Sequence, residues 1–252
     1  MKIDVILMKT KKPPKKLSRY TTLPVLLDLL RRKKIVLLDP STWEDKNDAE
    51  IILEYKKKKK ISNLFAICFS TGDETIHHWK TYANGISGCC IEFDGNKLLS
   101  KFQGINEVRY NKVSYKKINA IEEVEVDLIP FFKRWPYRCE SEFRVIWEGK
   151  TTQKKIEIEI NLHSINKITI SQQMPSDVSD SIKELLREKF KNPDKKIIRS
   201  TLYENKKWID AFKKNIETTG QPMNQETVSS NIIMKGTLVA KRILPDLSRR
   251  GF

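Results

Sequence analysis

Hydrophobic and polar positions change rhythm twice within LSRYTTLPVLLDLLRRKKIVLLDP, residues 17–40. A short strand is expected through Arg19 and Tyr20. Leu26, Leu27, Leu29 and Leu30 then recur at helical spacing, and residues 35–38 form a continuous apolar run. Thr21 or Thr22 can cap the helix, and Pro24 suits its first turn, where no amide donor is needed. Arg31 to Lys34 complement the negative end of its dipole. The pattern predicts strand, helix, strand.

A polar loop over residues 41–50 follows, able to cap a second helix through Asn47 or Asp48, and then a lysine run. LFAICFS (64–70) is continuously apolar, as a strand buried on both faces would be. Asp73 is placed to cap a helix on which Ile76, Trp79, Tyr82 and Ala83 recur, with Gly85 at its end, and GCCIEFD (88–94) returns as a strand. Two β-like stretches lie between 108 and 115, and a helix is interrupted at Pro130. KIEIEI (155–160) puts Ile156, Ile158 and Ile160 on one face, and KITIS (167–171) is a further strand. SDSIKELLREKF (179–190) is an amphipathic helix with Ile182, Leu185, Leu186 and Phe190 inward. KIIRS (196–200) and a helix around Trp208 and Phe212 complete the periodic region. These elements predict an α+β fold with mixed or split antiparallel sheets and flanking helices. A single domain over 17–216 is expected, after a mobile basic segment (1–16) and before a tail or appended hairpin (217–252).

YRCESEFRVIWEG (137–149) carries the candidate chemistry. Phe143, Val145 and Trp147 share one face and Arg144 and Ile146 the other, so the strand has no clean polar side and belongs inside a sheet. Glu140 and Glu142, two residues apart, would point the same way from its mouth. Two readings stay open: surface ion pairs with Arg138 and Arg144, or a carboxylate pair lining a cleft.

The chain of 252 residues, 39% hydrophobic, can fill a proper core. It has no apolar run long enough to span a membrane and no long apolar run behind its N-terminal charges, so a cytoplasmic protein is expected. Cys68, Cys89, Cys90 and Cys139 lack zinc-ligand spacing and read as reduced, buried thiols, although a Cys68–His77 nucleophile pair stays open. His77, His78 and His163 form no metal motif, and Asp45, Asp48 and Glu50 suit helix capping better than a metal; none is expected. A net charge of +16, from 48 Lys and Arg against 32 Asp and Glu, favours a polyanionic partner, nucleic acid or an acidic protein. Blocks such as KKKKK (56–60) equally suit solvated faces.

Several stretches in order, RYTTLPVLLDLL, DPSTWEDKND, CFSTGDETIHHWKTYANGISGCCIEFD and YRCESEFRVI, resemble the bacterial domain-of-unknown-function family catalogued as 2971 over roughly residues 17–208. Glu44-Asp45-Lys46 stands where that pattern has Asn-Asp-Pro, and His78 where it often has methionine. The order of an arginine on the first strand, a leucine-rich helix, a serine-bearing strand and a late Glu-x-Glu strand also resembles, more distantly, the ADP-ribosyltransferase superfamily. That likeness implies a cleft binding NAD and cleavage of its nicotinamide–ribose bond. It assigns Glu142 as the catalytic carboxylate and Glu140 as the residue positioning the attacking group. Arg19 with Tyr20 would grip the NAD ribose or phosphate, Ser70 would hold the ribose or buttress Glu142, and Trp79 or Tyr82 would stack on nicotinamide. Without the likeness, Arg19 would pair with an acid such as Asp45, Trp79 and Tyr82 would be core, and Ser70 would cap a helix. The chain is thus read as an NAD-utilising transferase or NAD glycohydrolase, a bacterial toxin or anti-phage defence effector. The alternatives are a non-catalytic nucleic-acid-binding or regulatory module of a defence system, and a magnesium-dependent hydrolase using the loop at 44–50.

Overall fold

The structure, a computed structural model, describes residues 13–121, 124–150, 154–192 and 195–219. The expected segment 1–16 and tail from 217 therefore fall largely outside the described residues. In chain order the elements are β1 (Lys16–Thr22), α1 (Leu23–Arg32), β2 (Lys34–Leu37), α2 (Lys46–Lys59), β3 (Asn63–Ser70), α3 (Ile76–Tyr82), β4 (Gly88–Asp94) and α4 (Gly95–Leu99). There follow β5 (Val108–Lys112), β6 (Ser114–Lys116), β7 (Phe132–Arg134), β8 (Glu142–Gly149), β9 (Ile156–Glu159), β10 (Ile165–Ile170), α5 (Ser176–Phe190), β11 (Lys196–Arg199) and α6 (Lys206–Thr219). The chain divides into two units between Tyr203 and Glu204. The second contains α6, on which the Trp208 and Phe212 rings lie 5.0 Å apart.

The first unit is an α+β fold built on one mixed sheet of seven strands, ordered β11-β10-β4-β1-β3-β8-β5, in which only β10 and β11 run parallel. Two short ribbons, β2–β9 and the parallel β6–β7, stand beside it. Strand alternation sorts the sheet's side chains into two layers. On one face Phe65, Ile67 and Phe69 of β3 and Phe143, Val145 and Trp147 of β8 join the main core, which Leu26, Leu29 and Leu30 of α1 and Ile35, Leu37, Ile156 and Ile158 of the β2–β9 ribbon close. The other face is covered in two separate places. Ile52 and Tyr55 of α2 pack on Leu64, Ala66 and Ile146, whereas Trp79 of α3 and Ala83 just after it pack on Cys90 beside Tyr20.

Strands β1 and β3 meet at a single pair, Ser18 with Ser70. Farther along β3, Ala66 instead exchanges both backbone hydrogen bonds with Leu38, at 2.8 and 2.9 Å. The sheet thus opens between β1 and β3, between the patches that α2 and α3 cover.

Several local expectations change. Thr22 flanks α1 without a side-chain cap, and Leu27 is 56% exposed while Leu23 takes its place in the buried stripe. Asp45, not Asn47 or Asp48, caps α2 by accepting from the amides of Asn47 and Asp48, which frees Asp48 to turn inward. Thr75, not Asp73, caps α3. Ile76 is exposed, as is Leu185, so α5 offers the core Leu186 with the half-buried Ile182 and Phe190. The segment around Pro130 is a 3-10 helix, Val126–Phe131. All four thiols are free, but Cys139 is exposed. Among the described residues no helix is long and apolar enough to cross a membrane.

The contrast on α1 is testable by urea denaturation. Leu26→Ala should cost about 2–5 kcal/mol, and Leu27→Ala no more than about 0.5 kcal/mol.

Candidate active site

Glu140 and Glu142 converge, though not through strand alternation. Residues Trp135–Glu140 form a 3-10 turn, Ser141 adopts a left-handed conformation (φ 46°), and β8 begins at Glu142. Both the amide and the hydroxyl of Thr71, just beyond β3, donate to the Ser141 carbonyl at 2.9 Å, which pins the turn. Ser70 Oγ donates to the Glu140 carbonyl at 2.8 Å. His78 Nε2 lies 3.1 Å from the same carbonyl, which can only accept, so Nε2 carries the proton and Nδ1 accepts from Thr75 Oγ1 at 2.7 Å.

Both carboxylates are buried, and both reach Lys133 of β7, whose Nζ is 2.7 Å from Glu140 Oε2 and 3.4 Å from Glu142 Oε2. Tyr82 donates to Glu140 Oε1 at 2.6 Å, and the Glu142 amide donates to Tyr115 Oη at 2.8 Å. Arg144, fully buried on β8, donates to Glu142 through Nε (2.7 Å) and Nη2 (3.1 Å) and to Asp48 of α2 through Nη2 (2.6 Å) and Nη1 (3.2 Å). Its Nη1 also reaches the Pro130 carbonyl at 2.8 Å, and its guanidinium lies 4.8 Å from the Trp43 ring centre. Asp48, Glu140 and Glu142 thus share two cations, Lys133 and Arg144.

The cluster forms the floor of a cleft of about 600 Å³ at the parting of β1 and β3. Arg19, Tyr20, Ser70, Tyr82, Glu140 and Glu142 all line it. Arg19 has no hydrogen bond or ion pair among the described residues; it is not paired with Asp45. Burial lowers its pKa, with the thiols of Cys68 and Cys89, one on each neighbouring strand, as its electrostatic neighbours. Tyr20 stacks on His78, ring centres 4.7 Å apart. Trp79 does not line the cleft: it is buried in the α3 patch, edge-on to Tyr20, with its indole nitrogen donating to Glu74 at 2.7 Å.

Burial by itself would raise the Glu142 carboxyl, but the charges and hydrogen bonds of Arg144 and Lys133 outweigh it and hold it down at about 2. Glu142 is therefore a fixed anion at neutral pH. Burial raises Asp48 against the opposing pull of Arg144. For Tyr82, burial and then the Glu140 charge raise the phenol, so it remains a donor. Burial and the Glu142 charge raise the Cys68 thiol well above its ordinary value, and a thiol so held is no nucleophile; His77 faces Glu140 instead, 3.6 Å away. Among the described residues no cluster suits a metal ion.

Of the two expected ion pairs of the acidic residues only one forms, and it is buried: Arg144 binds Glu142, whereas Arg138 lies over Trp135. The sequence reading overlooked Lys133 and Tyr115, and it weighed Asp48 only as a helix cap or metal ligand and His78 only as a metal ligand. An arginine alternating with core residues on a central strand was a signal for Asp48, because a buried guanidinium demands counter-charge.

The side chains define an α+β protein with a charged cleft at a parted sheet. No family model matches the chain, and no curated protein matches it. Among solved structures, DarT of Thermus sp. 2.9 in complex with ADP-ribosylated ssDNA aligns at 10% identity and a TM-score of 0.40, covering 76% of this chain and 97% of that one. The same protein in complex with NAD+ aligns at 8% identity and a TM-score of 0.38, covering 76% and 98%.

Arg144→Met should cost about 3–5 kcal/mol in urea denaturation, because Asp48 and Glu142 lose their shared partner inside the protein. A carboxyl held at about 2, against an ordinary 4.5, adds stability that is complete above pH 4.5 and lost as pH falls towards 2. Asp48, raised, acts with the opposite sign. The stability gap between the wild type and Glu142→Gln, from urea midpoints, should therefore narrow over that interval.

Proposed function

We propose that the protein uses NAD as a substrate and breaks its nicotinamide–ribose bond, as an ADP-ribosyltransferase-like enzyme or an NAD glycohydrolase, with Glu142 as the catalytic carboxylate. The observation that carries this reading is the ionised Glu142, with Glu140 beside it, at the floor of a cleft whose wall holds Arg19, an arginine with no partner among the described residues. Departure of nicotinamide takes the bonding electron pair with it and leaves positive charge on the ribose, which a fixed anion stabilises more in the transition state than in the ground state. A carboxyl that stays ionised can do this without titrating. Water or an acceptor group then donates an electron pair to the anomeric carbon and loses its proton. Glu140, held between Tyr82 and Lys133, is placed to orient that incoming group. Arg19 offers a planar fork of donors to the pyrophosphate, and Tyr20 and Tyr82 offer ring faces or edges to the nicotinamide. Ser70 supports Glu140 through its backbone and needs no contact with substrate. The cellular role we attach to this activity, that of a toxin or anti-phage effector, rests on the motif likeness alone.

Incubation with NAD, alone and with cell lysate, should release nicotinamide. Glu142→Gln should lower that release at least about 100-fold while still giving a cooperative unfolding transition. Arg19→Ala should raise KM for NAD about ten- to a hundredfold with a smaller effect on kcat. Absence of release, or release unchanged in Glu142→Gln, overturns the reading. On Glu142's account the rate should be flat from pH 5 to 9, so an acid limb abolished by Glu142→Gln would remove its role as a fixed charge.

A further inference from the structure

The β6–β7 ribbon has two faces, since strand side chains alternate. Tyr115 and Lys133, opposite each other in register, face the cleft: Tyr115 Oη accepts from the Glu142 amide and Lys133 Nζ reaches the carboxylates of Glu140 and Glu142. The positions between them present the other face. There Lys116 lies 5.7 Å from the ring centre of Phe132. The pattern continues onto the following turn, with Arg138 and Lys117 at 5.0 and 5.9 Å from Trp135 and Arg134 at 5.9 Å from Tyr137. All four cations are exposed, Trp135 is 42% exposed, and none of the four forms an ion pair among the described residues.

Unneutralised cations interleaved with aromatic rings have the chemistry of a single-stranded nucleic-acid site: cations neutralise phosphates, while rings and guanidinium planes stack on unpaired bases. An acidic protein would use the charges but has little use for the rings. Tyr137 belongs to both regions, lining the cleft and lying beneath Arg134. We propose that this face binds single-stranded nucleic acid and holds it across the mouth of the cleft. Binding is independent of the chemistry proposed above; only the strand's role as an acceptor rests on that reading.

The full chain is titrated into a fluorescently labelled oligonucleotide of roughly 15 nucleotides and mixed sequence, read by anisotropy from about 50 to 200 mM salt. Affinity should fall with salt. The combined Lys117→Ala, Arg134→Ala and Arg138→Ala variant should bind at least about tenfold more weakly and flatten the slope of log K against log salt by about 2, at roughly 0.7 per lost phosphate contact. Trp135→Ala should weaken binding about 5- to 150-fold at an unchanged slope. Both variants should release nicotinamide from NAD alone at the wild-type rate. No binding by the wild type, a triple variant with the wild-type slope, or polyglutamate bound as tightly as the oligonucleotide would each overturn the proposal. Binding without any nicotinamide release would sink the cleft chemistry and leave this surface standing.

Discussion

The buried guanidinium of Arg144 is the constraint on which the site depends. It ties β8 to α2 through Asp48, to the 3-10 segment through the Pro130 carbonyl, and to the mouth of its own strand through Glu142. Buried ion pairs of this kind are poor stabilisers compared with well-packed apolar side chains, because desolvation offsets most of the attraction. Five charges gathered on one floor are hard to explain as scaffolding. They are easier to explain as the means of keeping a carboxylate ionised where water is scarce.

The polar floor follows from how the sheet is covered. One face is closed by a continuous apolar layer, while α2 and α3 cover the other in separate patches and leave the parting of β1 and β3 between them. Strand alternation alone would have made Arg144 a core residue beside Ile146. Its partners make it the floor of a cleft.

Much of this was legible in the sequence. The strands β3, β4, β8, β9 and β10 and most of the inward helix positions were read directly, since period and burial are set by local pattern, although Leu27, Ile76 and Leu185 turn out exposed. Misreadings clustered where one polar residue competes with its neighbours: Asp45 over Asp48 at α2, and Thr75 over Asp73 at α3. Such choices depend on which side chain a later element claims. The convergence of Arg19, Ser70, Glu140 and Glu142 came from motif order, but Lys133 was invisible because it acts from a three-residue strand with no periodicity. Trp79 was misplaced because a helical aromatic looks the same from either side of a patch.

Ser141 gives the acidic turn a further property. Glycine would occupy its left-handed backbone without steric penalty, yet would let the peptide pivot. A side chain in that conformation is uncomfortable, and the bonds from Thr71 have to hold it there. The arrangement gives up a little folding free energy for directional stiffness, so the two acids keep one bearing.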